Sequence, residues 1–449
     1  MISYSIIQKS QLEGALRLDA EYYQPEYLEV AKILQSTHHK NFDEVVSNII
    51  NGAEIREYVE EDGLPYLRVS DIKEFFIDLS SVVYVTKESK IKQNIKLKED
   101  DILLSRSGSL AIAAVVTPDL SDSIISSHLM RISVRGINPY FLVTFLNSKF
   151  GKAQIMQRNN GTIVPEINHP SLKSLSVPIL SEDTQKEIEK IVRNAYEKVQ
   201  ESNKIYSQAE DLLLEELGIK DFEIDDDLSY IVNLSEIKSA HRADAEYFQP
   251  KYDKLVERIK KHGADPLLSL AQNVAARFNP KSQPTKLFQY VELSNITSSV
   301  GTIDGFSEVS GDEAPSRAKR VLKTNDVILS SVEGSLEKVA LAGKEQEGYL
   351  ASNGFFQFRS KDILPEVLLV LAKSFILQMQ FGKETAGTIL TAVPKEAVKN
   401  IVVPKVDKST QQKIADLVQK SHEARKKAKE LLEEAKQKVE NAIENEINK

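Results

Sequence analysis

The string Ser105-Arg106-Ser107-Gly108-Ser109 combines hydroxyl side chains with a glycine, residue types whose hydroxyls and backbone amides could hold a phosphate group. The lysine of a phosphate-binding loop is missing, and no clear helix pattern follows. The preceding run 101–104 is typical of a strand. Two interpretations stay open: an ordinary hairpin turn, and a turn that displays its side chains at a strand end for recognition.

The string Asn138-Pro139-Tyr140-Phe141 resembles the Asn-Pro-Pro-Tyr sequence by which adenine-N6 methyltransferases hold a target amino group. Its second proline is absent, and no strand followed by Gly-x-Gly lies upstream to hold a cofactor. Asn before Pro instead favours a helix start, because Asn caps a helix and Pro fits its first position. We therefore predict a helix from Pro139 to about Gln157, with a counterpart that begins at Pro365.

The other reactive residue types predict neither a metal site nor a catalytic site. The chain has no cysteine, which excludes thiolate metal sites, disulfides and cysteine nucleophiles. None of its seven histidines pairs with another histidine or a carboxylate at metal-ligand spacing on an evident helix face. The sequence thus predicts no catalytic residue, no metal and no cofactor of its own.

These strings belong to an internal repeat that spans the chain. Residues 17–27 and 242–252 share eight of eleven residues, at an offset of 225 (242 − 17). The chain is therefore two copies of one unit, each too long to be a solenoid repeat. The same offset, give or take one residue, pairs 66–72 with 290–296, 101–105 with 326–330, 161–163 with 387–389, 177–178 with 403–404, and 184–185 with 410–411.

Each copy combines a mixed domain with a long helix. Residues 41–134 alternate short β-rich runs with Gly, Ser, Asn and Asp, which predicts an irregular mixed domain. After Val177-Pro178, a helix capped near Ser181 meets no Gly or Pro before Gly218. Its counterpart runs from about Thr410 to Asn448.

Apolar and small residues recur along both long helices at heptad spacing, so one face of each should lie along another helix. The economical interpretation is that the two helices pair antiparallel inside the chain, and a homodimeric coiled coil is the alternative. The two stripes are Ile188, Val192, Ala195, Val199, Ser202, Tyr206, Ala209 and Leu213, and Leu417, Ser421, Ala424, Ala428, Leu431, Ala435, Val439 and Ala442.

The composition is that of a folded protein, with 41% hydrophobic and 28% charged residues. The longest apolar runs, 110–116 and 367–372, are far too short for a membrane span, and the first ten residues do not resemble a signal peptide. We therefore expect a cytoplasmic protein that makes no membrane contact. The net charge of −8 argues against binding of nucleic acid through bulk charge, and local basic faces remain an open alternative.

In the order and repetition of its motifs, the chain resembles the specificity (S) subunit of Type I restriction-modification systems. In that family an acidic residue commonly precedes the Gln of the Thr-Gln pair, where this chain has Thr184 and Thr410; the departure concerns helix capping. The resemblance covers essentially the whole chain. It is carried by the Arg-x-Asp-Ala-Glu-Tyr-x-Gln-Pro segments 17–25 and 242–250, the strand-end turns 101–108 and 326–334, and the Val-Pro to helix segments 177–188 and 403–414.

The resemblance implies an α+β fold with a pseudo-two-fold internal repeat. Two tandem mixed α/β target recognition domains are separated by two long antiparallel coiled-coil helices. The implied boundaries are residues 1–180 for target recognition domain 1, 181–218 for spacer helix 1, 219–405 for target recognition domain 2 and 406–449 for spacer helix 2.

The implied function is noncatalytic DNA sequence recognition. Each half would read one part of a bipartite target in double-stranded DNA and dock one of two methyltransferase (modification) subunits, with motor-nuclease restriction subunits as optional further partners. S-adenosylmethionine is then expected on the methyltransferase. The acidic balance implies that the partners supply much of the phosphate contact. The alternative is a coiled-coil scaffold without a DNA-reading role, from which salt-dependent binding of a defined duplex would distinguish it.

Residues that read the target should lie where the two copies share the surrounding motif, which holds the fold, but differ in the side chains at the end of the loop. Arg suits the two acceptors of guanine, Asn suits adenine and Glu accepts from the amino group of cytosine. Some of these side chains would instead only pair with neighbouring backbone or charged groups. The candidates are Arg68, Lys73, Arg106, Ser107 and His128 in the first copy, and Glu292, Asn295, Ser331, Glu333 and Asn353 in the second.

Overall fold

The computed structural model describes residues 4–10, 12, 17–59, 63–80, 82–87, 95–222, 229–386 and 391–447. Its internal contacts divide the chain into two compact units. Unit 1 comprises Met1–Val199 and Lys426–Lys449, and unit 2 comprises Gln200–Arg425. The two long helices, Glu182–Glu216 and Lys408–Ile447, each contribute to both units.

Unit 1 contains two main sheets. One is antiparallel with strand order β2-β8-β5-β6, and the other has the order β4-β3-β7, in which β3 and β7 run parallel. β1 pairs separately with β9. The strands are β1 (His39–Asn41), β2 (Val46–Asn51), β3 (Leu64–Leu67), β4 (Val83–Val85), β5 (Ile102–Ser105), β6 (Ala113–Val115), β7 (Ile124–Ile125), β8 (Leu129–Val134) and β9 (Ser176–Pro178). The α-helices ahead of the first long helix are Pro25–Gln35, Phe42–Val45, Pro139–Asn147, Lys149–Gln157 and His169–Lys173.

Unit 2 repeats this plan. Its sheets have the orders β11-β20-β17-β18, again antiparallel, and β15-β12-β19-β16, with β12 and β19 parallel. The strands are β10 (Ala264–Pro266), β11 (Ala271–Asn273), β12 (Leu287–Val291), β13 (Ile296–Thr297), β14 (Thr302–Ile303), β15 (Ser307–Ser310), β16 (Ala318–Val321), β17 (Asp326–Ser330), β18 (Val339–Leu341), β19 (Leu350–Ser352), β20 (Phe355–Ser360) and β21 (Val402–Pro404). The α-helices ahead of the second long helix are Leu234–Ala240, Pro250–Lys261, Leu267–Leu270, Pro365–Lys373 and Phe375–Lys383.

The helix start at Pro139 is confirmed, and its predicted end is wrong. Asn138 caps the helix, since its Oδ1 accepts hydrogen bonds from the backbone N–H groups of Tyr140 (2.9 Å) and Phe141 (3.2 Å). The helix ends at Asn147 and a second helix follows, because Ser148 is extended and its Oγ donates to the Phe145 carbonyl at 2.6 Å. Ser374 produces the same break in unit 2.

A glutamine at the start of each long helix fixes the helix that opens at Pro139 or Pro365. Gln185 accepts a hydrogen bond from the Asn138 backbone N–H at 3.0 Å and donates to the Leu180 carbonyl at 2.9 Å. Gln411 makes the matching bonds with the Leu364 N–H and the Val406 carbonyl. The Gln of each Thr-Gln pair therefore joins two helix starts.

The repeated Arg-x-Asp segment also has a structural role. Arg17 forms an ion pair with Asp19 at 2.6 Å, lies over the ring of Tyr22 and donates to the Asn159 carbonyl at 2.9 Å. Arg242 pairs with Asp244 and bonds to the carbonyl of Lys383. Each segment is thereby tied to the end of the helix Lys149–Gln157 or Phe375–Lys383.

The heptad stripe of the first long helix is buried along its whole length, from Ile188 to Leu213. In the second long helix the stripe is buried from Ser421 to Val439, whereas Leu417 and Ala442 are only partly buried. In unit 1 the core joins residues 188–199 to residues 428–443, and in unit 2 the Oγ atoms of Ser202 and Ser421 each bond to the carbonyl of the other residue.

Candidate nucleic-acid interface

In unit 1 the loop after β5 is held between two other segments. The Arg106 N–H donates to the His128 carbonyl at 3.0 Å, and the Ile167 N–H donates to the Arg106 carbonyl at 2.9 Å. Gly108 has a φ of +85°, which favours glycine, and its N–H bonds to the Pro165 carbonyl. The strand-end loop predicted from the sequence is therefore anchored to residues distant in the chain.

The Arg106 side chain is engaged within the protein. Its guanidinium forms an ion pair with Glu166 and donates from Nη1 to the Ser127 carbonyl at 3.3 Å, which leaves the side chain 22% exposed. Burial, and then the charge of Arg106, lower the pKa of His169, which favours its neutral form. Ser107 is half-buried in the same loop, and His128 is exposed.

Arg68 follows a strand that is hydrogen-bonded to the segment just before His128. It follows β3, whose Leu67 carbonyl accepts a hydrogen bond from the Ser126 N–H at 2.9 Å, and its own N–H donates to Asp71 at 2.8 Å. The residue after Lys73, Glu74, forms ion pairs with Lys152 and with Lys436 of the second long helix. Backbone hydrogen bonds thus link the loop of Arg106 and Ser107 to His128, and they link the strand that precedes Arg68 to Ser126, two residues before His128.

Unit 2 builds the corresponding loop with the same backbone bonds and different side chains. The N–H and Oγ of Ser331 both donate to the Gly354 carbonyl at 2.8 Å, and the Val393 N–H donates to the Ser331 carbonyl at 2.7 Å. The Glu333 N–H is bonded to the Thr391 carbonyl, while its side chain is exposed. The Ser331 side chain is therefore used in bonds within the loop, whereas the Glu333 side chain is exposed to solvent.

The other candidates of unit 2 divide in the same way. Glu292 and Asn353 are exposed. Asn353 is positioned by its N–H, which donates to the Arg317 carbonyl at 2.7 Å. Asn295 instead accepts a hydrogen bond from the Glu292 N–H through its Oδ1 at 2.9 Å, as Asp71 does for Arg68 in unit 1. Its acceptor oxygen therefore serves the backbone turn.

A buried carboxylate underlies each loop-bearing sheet. In unit 1 Asp101 lies 3.5 Å from the guanidinium of Arg131, and both side chains are less than a tenth exposed. In unit 2 Asp326 is fully buried and accepts hydrogen bonds from Arg359 at 2.8 Å and from Gln357 at 2.6 Å. Because these charges are neutralised internally, they fix the sheet and contribute little to the surface charge.

Sequence reasoning missed the segment 159–167, which the structure places against the loop of Arg106. The Asn159 side chain accepts hydrogen bonds from the N–H groups of Gly161 and Glu166, and the Asn160 N–H donates to the Glu166 carbonyl. Ile163 at the tip of this segment is 94% exposed. The available signal was the repeat of residues 161–163 at 387–389, and the second of these stretches lies outside the described residues.

Comparison with known families agrees with the repeated motifs. Residues 44–211 match the family model for the Type I restriction modification DNA specificity domain. This match and a curated relative confirm that this part of the chain resembles the specificity subunit of Type I restriction-modification systems. The match covers the mixed domain of the first copy and most of the first long helix.

One curated relative is the Type I restriction enzyme EcoBI specificity subunit of Escherichia coli, 27% identical over 139 residues. The aligned part spans 30% of this chain and 29% of that relative, which is less than a third of its length.

Similar solved structures include the S subunit of a Type-I restriction-modification system from M. genitalium and the HsdS subunit from Thermoanaerobacter tengcongensis. The first is 11% identical, covers 89% of this chain and 95% of that chain, and has a TM-score of 0.37. The second is 15% identical, covers 91% and 96%, and has a TM-score of 0.31. Because these TM-scores are low, the resemblance to Type I specificity subunits rests on the sequence matches and not on structural superposition. Across the described ranges, no helix is both long and apolar enough to cross a membrane.

Proposed function

We propose that this chain is the noncatalytic DNA sequence-recognition subunit of a Type I restriction-modification complex. Each half reads one part of a bipartite double-stranded target. The two mixed domains act as target recognition domains, and the two long helices form an antiparallel coiled-coil spacer between them. The four segments 1–180, 181–218, 219–405 and 406–449 remain our prediction for the division of these roles.

The observation that carries this proposal is that the two copies share the backbone structure of the loop but expose different side chains on it. Both units have the same order of strands in the loop-bearing sheet, and Arg106 and Ser331 occupy the same place in the same pattern of backbone bonds. At the surface, however, His128 of one copy contrasts with Glu333 and Asn353 of the other. Such a pair is suited to two unlike half-sites, because base edges are distinguished by the donors and acceptors that meet them.

The long helices support a fixed gap between the half-sites. A helix of 35 residues, Glu182–Glu216, is about 52 Å long at 1.5 Å per residue. One turn of the duplex measures about 34 Å, so the spacer is long enough to separate two readers by more than one turn. Because the chain contains two copies of one unit, with repeated helix starts at Pro139 and Pro365, we propose that each copy docks one methyltransferase subunit that carries S-adenosylmethionine. Motor-nuclease restriction subunits would be optional further partners of this assembly.

The test is to co-express the chain with its candidate modification subunits, to map the methylated bases in the host DNA, and to measure binding of a duplex that carries the mapped site. We expect two modification subunits per chain by native mass determination, and affinity that falls with salt and with changes in either half-site. A duplex affinity that does not depend on either half-site would favour the alternative, a coiled-coil scaffold without a DNA-reading role. Methyl transfer by the purified chain alone would contradict its noncatalytic role.

A further inference from the structure

The segment 159–167 of unit 1 presents apolar side chains to solvent. Ile163 is 94% exposed and Val164 is 52% exposed. Thr162 beside them is also exposed. A single exposed aliphatic residue is common on protein surfaces. The setting of Ile163 is what distinguishes it.

The segment is closed by its own hydrogen bonds. The Asn159 Oδ1 accepts from the N–H groups of Gly161 and Glu166, both at 2.9 Å, and the Asn160 N–H donates to the Glu166 carbonyl at 2.7 Å. A Cβ on Gly161 would lie 1.8 Å from the Val164 carbonyl oxygen, so only glycine fits this turn. The backbone therefore fixes the direction in which Ile163 is presented.

The segment is also continuous with the candidate interface. Its Pro165 carbonyl accepts from the Gly108 N–H at 3.0 Å, and its Glu166 pairs with Arg106. A duplex that reaches the loop of Arg106 therefore meets the segment that carries this apolar tip.

The sequence of the tip is the same in both copies. Gly-Thr-Ile occurs at 161–163 and again at 387–389, whereas Arg106 is replaced by Ser331 at the loop beside it. An element common to both copies is unsuited to distinguishing two unlike half-sites. It is suited to an interaction that both half-sites need.

We propose that Ile163 is an apolar wedge that enters between stacked base pairs of the first half-site and deforms the duplex there; this rests on the proposed function. Aliphatic side chains of DNA-binding proteins unstack and kink base steps in this way. Chemistry on a base requires its removal from the stack, so a local deformation serves the methyltransferase at either half-site.

The experiment uses the full complex with its modification subunits and a duplex of the mapped target that carries 2-aminopurine at successive positions of the first half-site. For the wild type we expect a rise in fluorescence at one step, reporting unstacking. Ile163→Ala should remove most of this rise and weaken binding about tenfold, the loss expected when one buried aliphatic side chain is truncated. Ile163→Val should retain both the fluorescence rise and the binding affinity. Ile231→Ala, which truncates an isoleucine that is 99% exposed outside this segment, should change neither.

An undiminished rise with Ile163→Ala would overturn the wedge while leaving DNA recognition intact. A loss of affinity reproduced by replacing thymine with deoxyuridine, without any change in fluorescence, would also overturn it, because Ile163 would then contact a thymine methyl group. If the wild-type complex bound no target duplex at all, the proposed function itself would be wrong, and the wedge with it.

Discussion

Replacing Gln185 or Gln411 by Ala should destabilise the unit that contains it. Each side chain makes two hydrogen bonds, one with the first turn of a helix and one with the carbonyl that precedes its own helix. Gln185 is 9% exposed, so its truncation leaves the Asn138 N–H and the Leu180 carbonyl with little access to water. An orphaned buried polar group costs about 1–3 kcal/mol. We therefore expect a loss of about 2–3 kcal/mol from the free energy of unfolding.

The second copy should be the more sensitive. Asn138 caps its helix with its own side chain, whereas Leu364 at the matched position has no side-chain oxygen to do so. Gln411→Ala therefore removes a larger share of the support of its helix start. Gln412→Ala is the control, because Gln412 is exposed and bonds only along its helix surface, to Asp416 at 2.8 Å.

Thermal unfolding of the purified full chain measures the loss, and hydrogen exchange in residues 139–147 and 365–373 assigns it to one copy. For a unit of this size, 2–3 kcal/mol corresponds to a fall in Tm of about 5–10 °C. The control should change stability by less than about 0.5 kcal/mol. If both Gln→Ala variants matched the control, the two hydrogen bonds would not stabilise the helix starts.

Three further outcomes follow from the buried and exposed charges of unit 2. Asp326→Asn should cost about 2–4 kcal/mol in urea unfolding, somewhat less than a fully buried pair because Arg359 is 35% exposed; a loss under 1 kcal/mol would contradict the importance of the pair. Glu333→Ala should leave stability unchanged and reduce discrimination at one half-site by about 1–3 kcal/mol in competition binding; equal weakening at both half-sites would reveal a general contact. Burial lowers the pKa of His422 below its usual 6.5, so the unfolded chain binds more protons and stability is lost as the pH falls below that value. His422→Gln should flatten this dependence between pH 7.5 and 5, and an unchanged slope would assign it to other groups.

The sequence predicted the elements that local chemistry specifies. Asn before Pro predicted the helix start at Pro139, and the spacing of small and apolar residues predicted the buried face of the first long helix. The break at Ser148 could not be found in this way, because the apolar pattern continues across it. Besides the local bond of Ser148 to the Phe145 carbonyl, tertiary contacts hold the following helix, since its Gln154 bonds to both the N–H and the carbonyl of Ser176 in β9.

The candidate interface was predicted in part. The loop at the end of β5 follows from a strand pattern and a glycine, but its partners, residues 126–128 and 159–167, are distant in the sequence. Strand order and register determine which distant turns meet at one edge of a sheet, and residue patterns do not encode that order.

Difference between the copies is not sufficient evidence for DNA contact. Asp101 pairs with Arg131 in β8, whereas Asp326 pairs with Arg359, which lies two residues further along β20 than the position equivalent to Arg131. The arginine stands at different strand positions in the two copies, but the buried carboxylate is paired in both. This difference between the copies therefore reflects internal packing alone.

A residue that reads bases should therefore both differ between the two copies and have an exposed side chain. A base edge reaches an exposed side chain without breaking an internal bond, whereas Arg106 would first have to release Glu166, and Ser331 the Gly354 carbonyl. The cost of breaking such a bond offsets much of the discrimination of about 1–3 kcal/mol that one base contact provides. We therefore expect discrimination to depend most on the exposed candidates, which are His128, Glu292, Glu333 and Asn353.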